Sequence, residues 1–125
     1  MLQSSLMELT STDLEDGIRK IDLSGRLDIE GAAAIDLRLT VLTTAERTFS
    51  IIDLAGVEFL ASIGIATLLQ TAKAARLRNG NVVLLNPRAN VAKVLVSMRI
   101  DKIVPVCSSL DEARIVLGAP PPAFL

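Results

Sequence analysis

Apolar and polar residues interleave over 6–12 and again over 18–24, which predicts two short strands, each with one face buried. Glu15-Asp16-Gly17 lies between them and predicts a hairpin, because Gly accepts φ > 0 without penalty. Gly25-Arg26-Leu27-Asp28 closes the second strand, and the Asp28 carboxylate is placed to cap the helix that follows. Over 35–42 two periods compete. Ile35, Leu37, Leu39 and Val41 alternate with Asp36, Arg38 and Thr40, the strand period, whereas Ile35, Leu39 and Leu42 fit one helical face. The run Ala32-Ala33-Ala34 tips the reading to helix.

The apolar run 49–54 predicts a strand buried on both faces, followed by a bend containing Gly56 and a helix over 62–78. Ile65, Leu68, Leu69, Ala72 and Ala75 form that helix's inner face, and Lys73, Arg76 and Arg78 sit near its end, where cations suit the helix dipole. Asn79-Gly80-Asn81 stops it. A buried strand over 82–85 closes at Asn86-Pro87. A helix over 89–98 then turns Val91, Val94, Leu95 and Met98 inward. A last strand is expected over 103–106. Ser109-Leu110-Asp111-Glu112 reads as a capping box opening a final helix that ends at Gly118. The resulting class is α/β: one domain over 1–118, a mixed sheet of four to five strands built from a leading hairpin and βα units, covered by about four helices. Pro120-Pro121-Pro122 marks 119–125 as a loose C-terminal tail.

At 125 residues the chain is long enough for one core, and with no Trp or Tyr that core rests on Leu, Ile, Val and Ala. Its 13 basic and 14 acidic residues nearly cancel and form no long block, which speaks against a nucleic-acid partner. Cys107 is alone, so it reads as a small buried hydrophobe. The start of the chain lacks a secretory pattern, and the longest uncharged stretch, 59–72, is too short to span a bilayer. A cytoplasmic protein with no direct membrane insertion is expected.

Catalytic equipment is scarce. There is no His to activate a serine, Ser-x-x-Lys does not occur, and neither a Gly-rich dinucleotide motif nor a P-loop is present. No enzyme, cofactor or metal site is expected. Asp53 reads as a hydrogen-bonding group within an apolar strand and Glu58 as a solvated charge. Ser62 opens a helix, where its default role is an N-cap. A phosphoryl group there would add roughly −1.5 to −2 charges and three acceptor oxygens. Of its apolar neighbours Leu60, Ile63 and Ile65, one or two are expected at the surface.

In this order and spacing, several marks resemble the STAS family, the domain of bacterial anti-sigma factor antagonists. They are Gly25-Arg26-Leu27-Asp28, Asp53-Leu54-Ala55-Gly56-Val57 with Phe59, and Ser62-Ile63-Gly64-Ile65. Asn86-Pro87, Lys102-Ile103-Val104-Pro105-Val106 and Ser109-Leu110-Asp111-Glu112-Ala113 add weaker support. The resemblance implies that Ser62 is a phosphoacceptor and that Gly25, Asp28, Leu60, Ala61, Ile63, Gly64, Ile65 and Asn86 form the partner-binding surface. It implies binding to a kinase-type anti-sigma factor, release on phosphorylation, and resetting by a serine phosphatase. Ala61 stands where the family usually has Asp, and Ile63 where it has Ser or Thr. A non-switching scaffold subunit of a membrane transporter or sensory complex is the alternative. A small-ligand domain, using a helix start as an anion site, ranks below both.

Overall fold

The computed structural model describes residues 7–45 and 47–118, so the expected tail over 119–125 lies outside it. Gly17, at φ 81°, turns the chain between β1 (Glu8–Asp13) and β2 (Arg19–Leu27), which pair antiparallel. The strands β3 (Phe49–Leu60), β4 (Asn81–Leu85) and β5 (Val106–Cys107) then add in parallel, giving one sheet in the order β1-β2-β3-β4-β5. Helices α1 (Ile29–Thr43), α2 (Ser62–Leu77) and α3 (Ala89–Ser97) pack on one face. Helix α4 (Leu110–Leu117) packs on the other. Ile52 and Leu84 point to the three-helix side, while Ile51, Val83 and Leu85 point to α4. Both faces of these central strands are therefore apolar, as parallel sheets require.

The ambiguous segment is helix α1. Ile35 and Leu39 are buried, whereas Leu37 is 75% and Val41 63% exposed, a division that only a helical period produces. At β3 the sequence reading needs correction. The chain does not bend at Gly56 but continues as strand to Leu60, with the register against β2 slipping between Asp22 and Ser24 and again between Gly25 and Arg26. Each slip adds a residue to β3, which is a β-bulge. Leu54, Val57 and Leu60 therefore all face the helices at a spacing of three rather than two. The Asp53 Oδ1 accepts the Ala55 N–H at 2.9 Å beside the first bulge.

Two further expectations change. Met98 is 55% exposed, because α3 stops at Ser97 and Arg99 turns the backbone left-handed (φ 60°). The strand expected over 103–106 is only Val106–Cys107. The Ile103 and Val104 N–H groups donate back to the Ile100 carbonyl at 2.9 and 2.8 Å around the 3₁₀ turn Ile100–Lys102, so they cannot join a ladder. At α4 the Ser109 Oγ accepts the Glu112 N–H at 3.1 Å, while Glu112 Oε1 accepts from Ser108 N rather than Ser109 N. Cys107 is buried and its thiol is pushed up by desolvation, then by Glu112. No helix among the described residues is long and apolar enough to cross a membrane.

Gly56 holds β3 against β2: a Cβ there would stand 2.7 Å from the Ser24 Cβ and 2.8 Å from the Leu23 carbonyl oxygen. Replacing Gly56→Ala is expected to destabilise the protein by about 1–3 kcal/mol, read as a lower urea midpoint at unchanged slope. An unchanged midpoint would contradict the bulged pairing.

Candidate functional site

Strands β2 and β3 end together, Leu27 opposite Leu60, and each leads directly into a helix. The two helix starts thus lie side by side, joined by the Ala61 N–H donating to the Leu27 carbonyl at 3.0 Å. Asp28 caps α1, its Oδ1 accepting the Gly31 N–H at 2.9 Å. The Arg26 Nε lies 3.5 Å from Asp28 Oδ2, and its guanidinium sits 4.3 Å over the Phe59 ring, a cation–π contact. The hydrogen bond from Gly31 holds the Asp28 carboxyl below its ordinary value; desolvation opposes this and Arg26 reinforces it.

The cap of α2 is Ala61, not Ser62 as its sequence position suggested. The extended backbone ends at Ala61 (φ −94°, ψ 169°), so the helix begins one residue earlier than a serine cap would need. The Ala61 methyl accepts nothing, and the first helical bond is Ile65 N–H to the Ala61 carbonyl at 3.1 Å. The N–H groups of Ser62, Ile63 and Gly64 lie ahead of that bond, at the positive end of the helix dipole. Ser62 is exposed and its hydroxyl is not used as a cap.

What turns Ser62 outward is the contact beneath it. A Cβ on Gly64 would fall 2.6 Å from the Leu27 carbonyl oxygen, 2.7 Å from Leu27 Cγ and 2.9 Å from Leu60 Cδ1. With Gly64 and Ile65 pressed onto the sheet end, helical geometry directs Ser62 and Ile63 to the opposite side. Ile63 is 43% exposed, whereas Leu60 and Ile65 belong to the core.

The residues expected at the partner surface therefore separate. Asp28, Ala61, Ser62 and Ile63 come together at the surface. Leu60, Gly64 and Ile65 are buried and shape the site without offering side chains. Gly25 is also buried; at φ 112° it provides backbone freedom at the second bulge. Asn86 is exposed, but β4 ends level with Asp53, so it stands well below the tip of β3. Arg88 and Asn90 reach that protruding strand instead, donating to the carbonyls of Ala55 (2.8 Å) and Glu58 (2.9 Å).

The sequence reading missed Ile29, which is 74% exposed beside the site. Its signal was a second apolar line on α1, Ile29, Ala33, Leu37 and Val41 at intervals of four, separate from the buried Ile35 and Leu39. Ile29 lines two open grooves. One, of about 430 Å³, runs past Asp28, Glu30 and Ala61. The other, of about 290 Å³, lies between α1 and α2, with Ala33, Asp36, Ile63, Thr67 and Gln70 in its walls. Away from this end, Lys20 Nζ lies 2.5 Å from Asp22 Oδ1 and 3.1 Å from Asp53 Oδ2. Partial burial pulls the Lys20 pKa down, but these two carboxylates outweigh it and leave the value raised. Among the described residues no His, Cys, Asp and Glu cluster could hold a metal ion.

The family model described as the STAS domain matches residues 10–113. The fold is similar to that of an anti-sigma factor antagonist from Mycobacterium paratuberculosis, at 22% identity and TM-score 0.81, covering 95% of this chain and 100% of that one. It is similar to the Bacillus cell fate determinant SpoIIAA in its phosphorylated form, at 18% identity and TM-score 0.63, covering 87% and 98%. It is also similar to part of the murine Slc26a9 anion transporter, at 15% identity and TM-score 0.71, covering 94% of this chain and 23% of the transporter. At these identities the likeness is one of fold. No curated protein matches the chain in sequence.

The Asp28 carboxylate contributes stability that is present above its unfolded value, near 3.8, and lost as pH falls through its lower folded value. Wild type is expected to melt above Asp28→Asn at neutral pH, with the gap narrowing below that value and closing on further acidification. A gap independent of pH, followed by circular dichroism, would contradict the charged cap.

Proposed function

The chain belongs to the STAS family, and we propose that it is an anti-sigma factor antagonist working by partner switching, with Ser62 as the phosphoacceptor. The observation that carries this reading is an exposed serine in the first turn of α2, bordered by the exposed apolar side chains of Ile63 and Ile29. In the unphosphorylated state a kinase-type anti-sigma factor covers this patch, and covering Ile29 and Ile63 supplies binding energy. The same contact brings Ser62 Oγ to the partner's ATP. The oxygen attacks the γ-phosphorus, ADP leaves, and the hydroxyl proton passes to a base on the partner. This domain performs no catalysis of its own, and it acts in the cytoplasm, where its partners are.

The phosphate then works against the contact. It would sit in a previously dry patch close to the carboxylates of Asp28 and Glu30, where both desolvation and repulsion oppose binding. Losing about 3 kcal/mol would weaken affinity by roughly two orders of magnitude. Within the domain, the unused N–H groups at the start of α2 and the helix dipole accommodate the negative charge. Release therefore does not require unfolding, and a serine phosphatase restores the binding form.

A scaffold role without switching is the second reading. It is favoured by Ala61, which places no acidic or hydrogen-bonding side chain beside the hydroxyl, and by the likeness of fold to part of an anion transporter. The two readings part on one experiment. With the cognate kinase and ATP, the protein is expected to gain a single phosphoryl group mapped to Ser62, and Ser62→Ala none. Ser62→Asp is expected to bind the kinase about a hundredfold more weakly with an unchanged melting temperature. Equal binding by Ser62→Asp would discard the switch and leave the scaffold.

A further inference from the structure

The end of the molecule opposite Ser62 carries an unbalanced positive charge. Arg47 lies before β3, Lys73, Arg76 and Arg78 at the end of α2, and Arg99 and Lys102 around the 3₁₀ turn. Hydrogen bonds tie these segments together: Arg47 N–H to the Arg78 carbonyl at 2.9 Å, Arg76 Nη2 to the Ile103 carbonyl at 3.0 Å, and Lys102 N–H to the Arg99 carbonyl at 3.3 Å. These segments hold six of the chain's 13 cations but two of its 14 acids, Asp101 and Glu46, in a chain of net charge −1. Among the described residues none of the six cations forms an ion pair, whereas Arg19 and Arg114 neutralise Asp13 and Asp16 on the β1 side of the same end. The dipole of α2 accounts for its own three cations. It does not account for Arg47, Arg99 and Lys102, which arrive from other elements.

Leu77 stands amid this charge at 84% exposure, more open than any other large apolar side chain described. We propose that this basic pole docks the domain peripherally on an anionic lipid bilayer, with Leu77 entering the headgroup region and the exposed Arg47, Lys73, Arg78, Arg99 and Lys102 meeting lipid phosphates, while Arg76 is turned inward onto Asn81 and Ile103. An exposed aliphatic side chain on a segment that carries Lys73 and Arg78 suits an interfacial anchor. A protein interface has the reverse anatomy, a contiguous apolar core inside a polar rim. Nucleic-acid platforms stack successive bases on several aromatic rings, whereas the described residues of this pole offer one, Phe49 at the start of β3, 39% exposed. Each Lys or Arg near an anionic leaflet strengthens binding about fivefold. The geometry gives the docking a consequence: the 16 residues of α2 set Ser62 roughly 23 Å from Leu77 at the usual helical rise. A docked domain would present its serine away from the membrane and toward a partner.

The test is flotation of the full chain with vesicles of two parts phosphatidylcholine to one part phosphatidylglycerol, beside vesicles of phosphatidylcholine alone. The protein is expected to float with the anionic vesicles only, and to be released by high salt. The double variant Arg78→Glu, Lys102→Glu is expected to lose affinity about a hundredfold, and Leu77→Ser several-fold, each with a wild-type melting curve. Flotation with neither vesicle, equal flotation with both, or undiminished binding by the double variant would overturn the proposal. So would equally tight binding to polyglutamate or duplex DNA. Phosphorylation at Ser62 is a separate readout, so failure here leaves the switch untouched and failure of the switch leaves this docking untouched.

Discussion

The start of α2 presses against the ends of β2 and β3 so closely that no side chain fits at position 64, where a Cβ would overlap both Leu27 and Leu60. A helix can settle this near a strand end only if the contacting residue is glycine. Once that face is fixed, the helical period fixes the other, so Ser62 and Ile63 have no route to the interior. The backbone bond from Ala61 to Leu27 locks the same junction from the preceding residue. The exposure of the serine is thus a consequence of packing one turn away from it.

That junction depends in turn on how β3 is built. Its two bulges let a strand with broken alternation keep Leu54, Val57 and Leu60 in the core while it climbs past the end of β4. The protruding segment lacks β4 on one side, and Arg88 and Asn90 from the α3 region bind its free carbonyls in place of a ladder. The chain therefore presents its helix start on a strand tip supported from both sides. A serine held this way faces outward from that junction.

Much of this was legible from residue order alone. The hairpin at Gly17, the cap at Asp28, the α2 span and the buried runs of β3 and β4 follow from turn chemistry, capping and two-face burial, which are local signals. The tip of β3 was not legible, because a bulge converts period two into period three and Gly56 then mimics a bend. Ser62 was read as a cap because serine favours that position, yet the extended backbone ends one residue before it, at Ala61, a tertiary effect that propensity does not report. The resemblance put Leu60, Gly64 and Ile65 on the partner surface with the serine they adjoin, whereas a helix start sends neighbours to opposite sides and these three are buried. Ile29 was overlooked because its line along α1 competes with the core line of Ile35 and Leu39.

Thiol accessibility tests the outward placement of position 62 most directly. In native Ser62→Cys, the introduced thiol would sit at a helix start, which lowers thiol pKa and favours the reactive thiolate. The account predicts that it reacts with a maleimide at least as fast as a cysteine in an unstructured peptide, while Cys107, 2% exposed, stays unmodified. Protection of the introduced thiol to the same degree as Cys107 would contradict it.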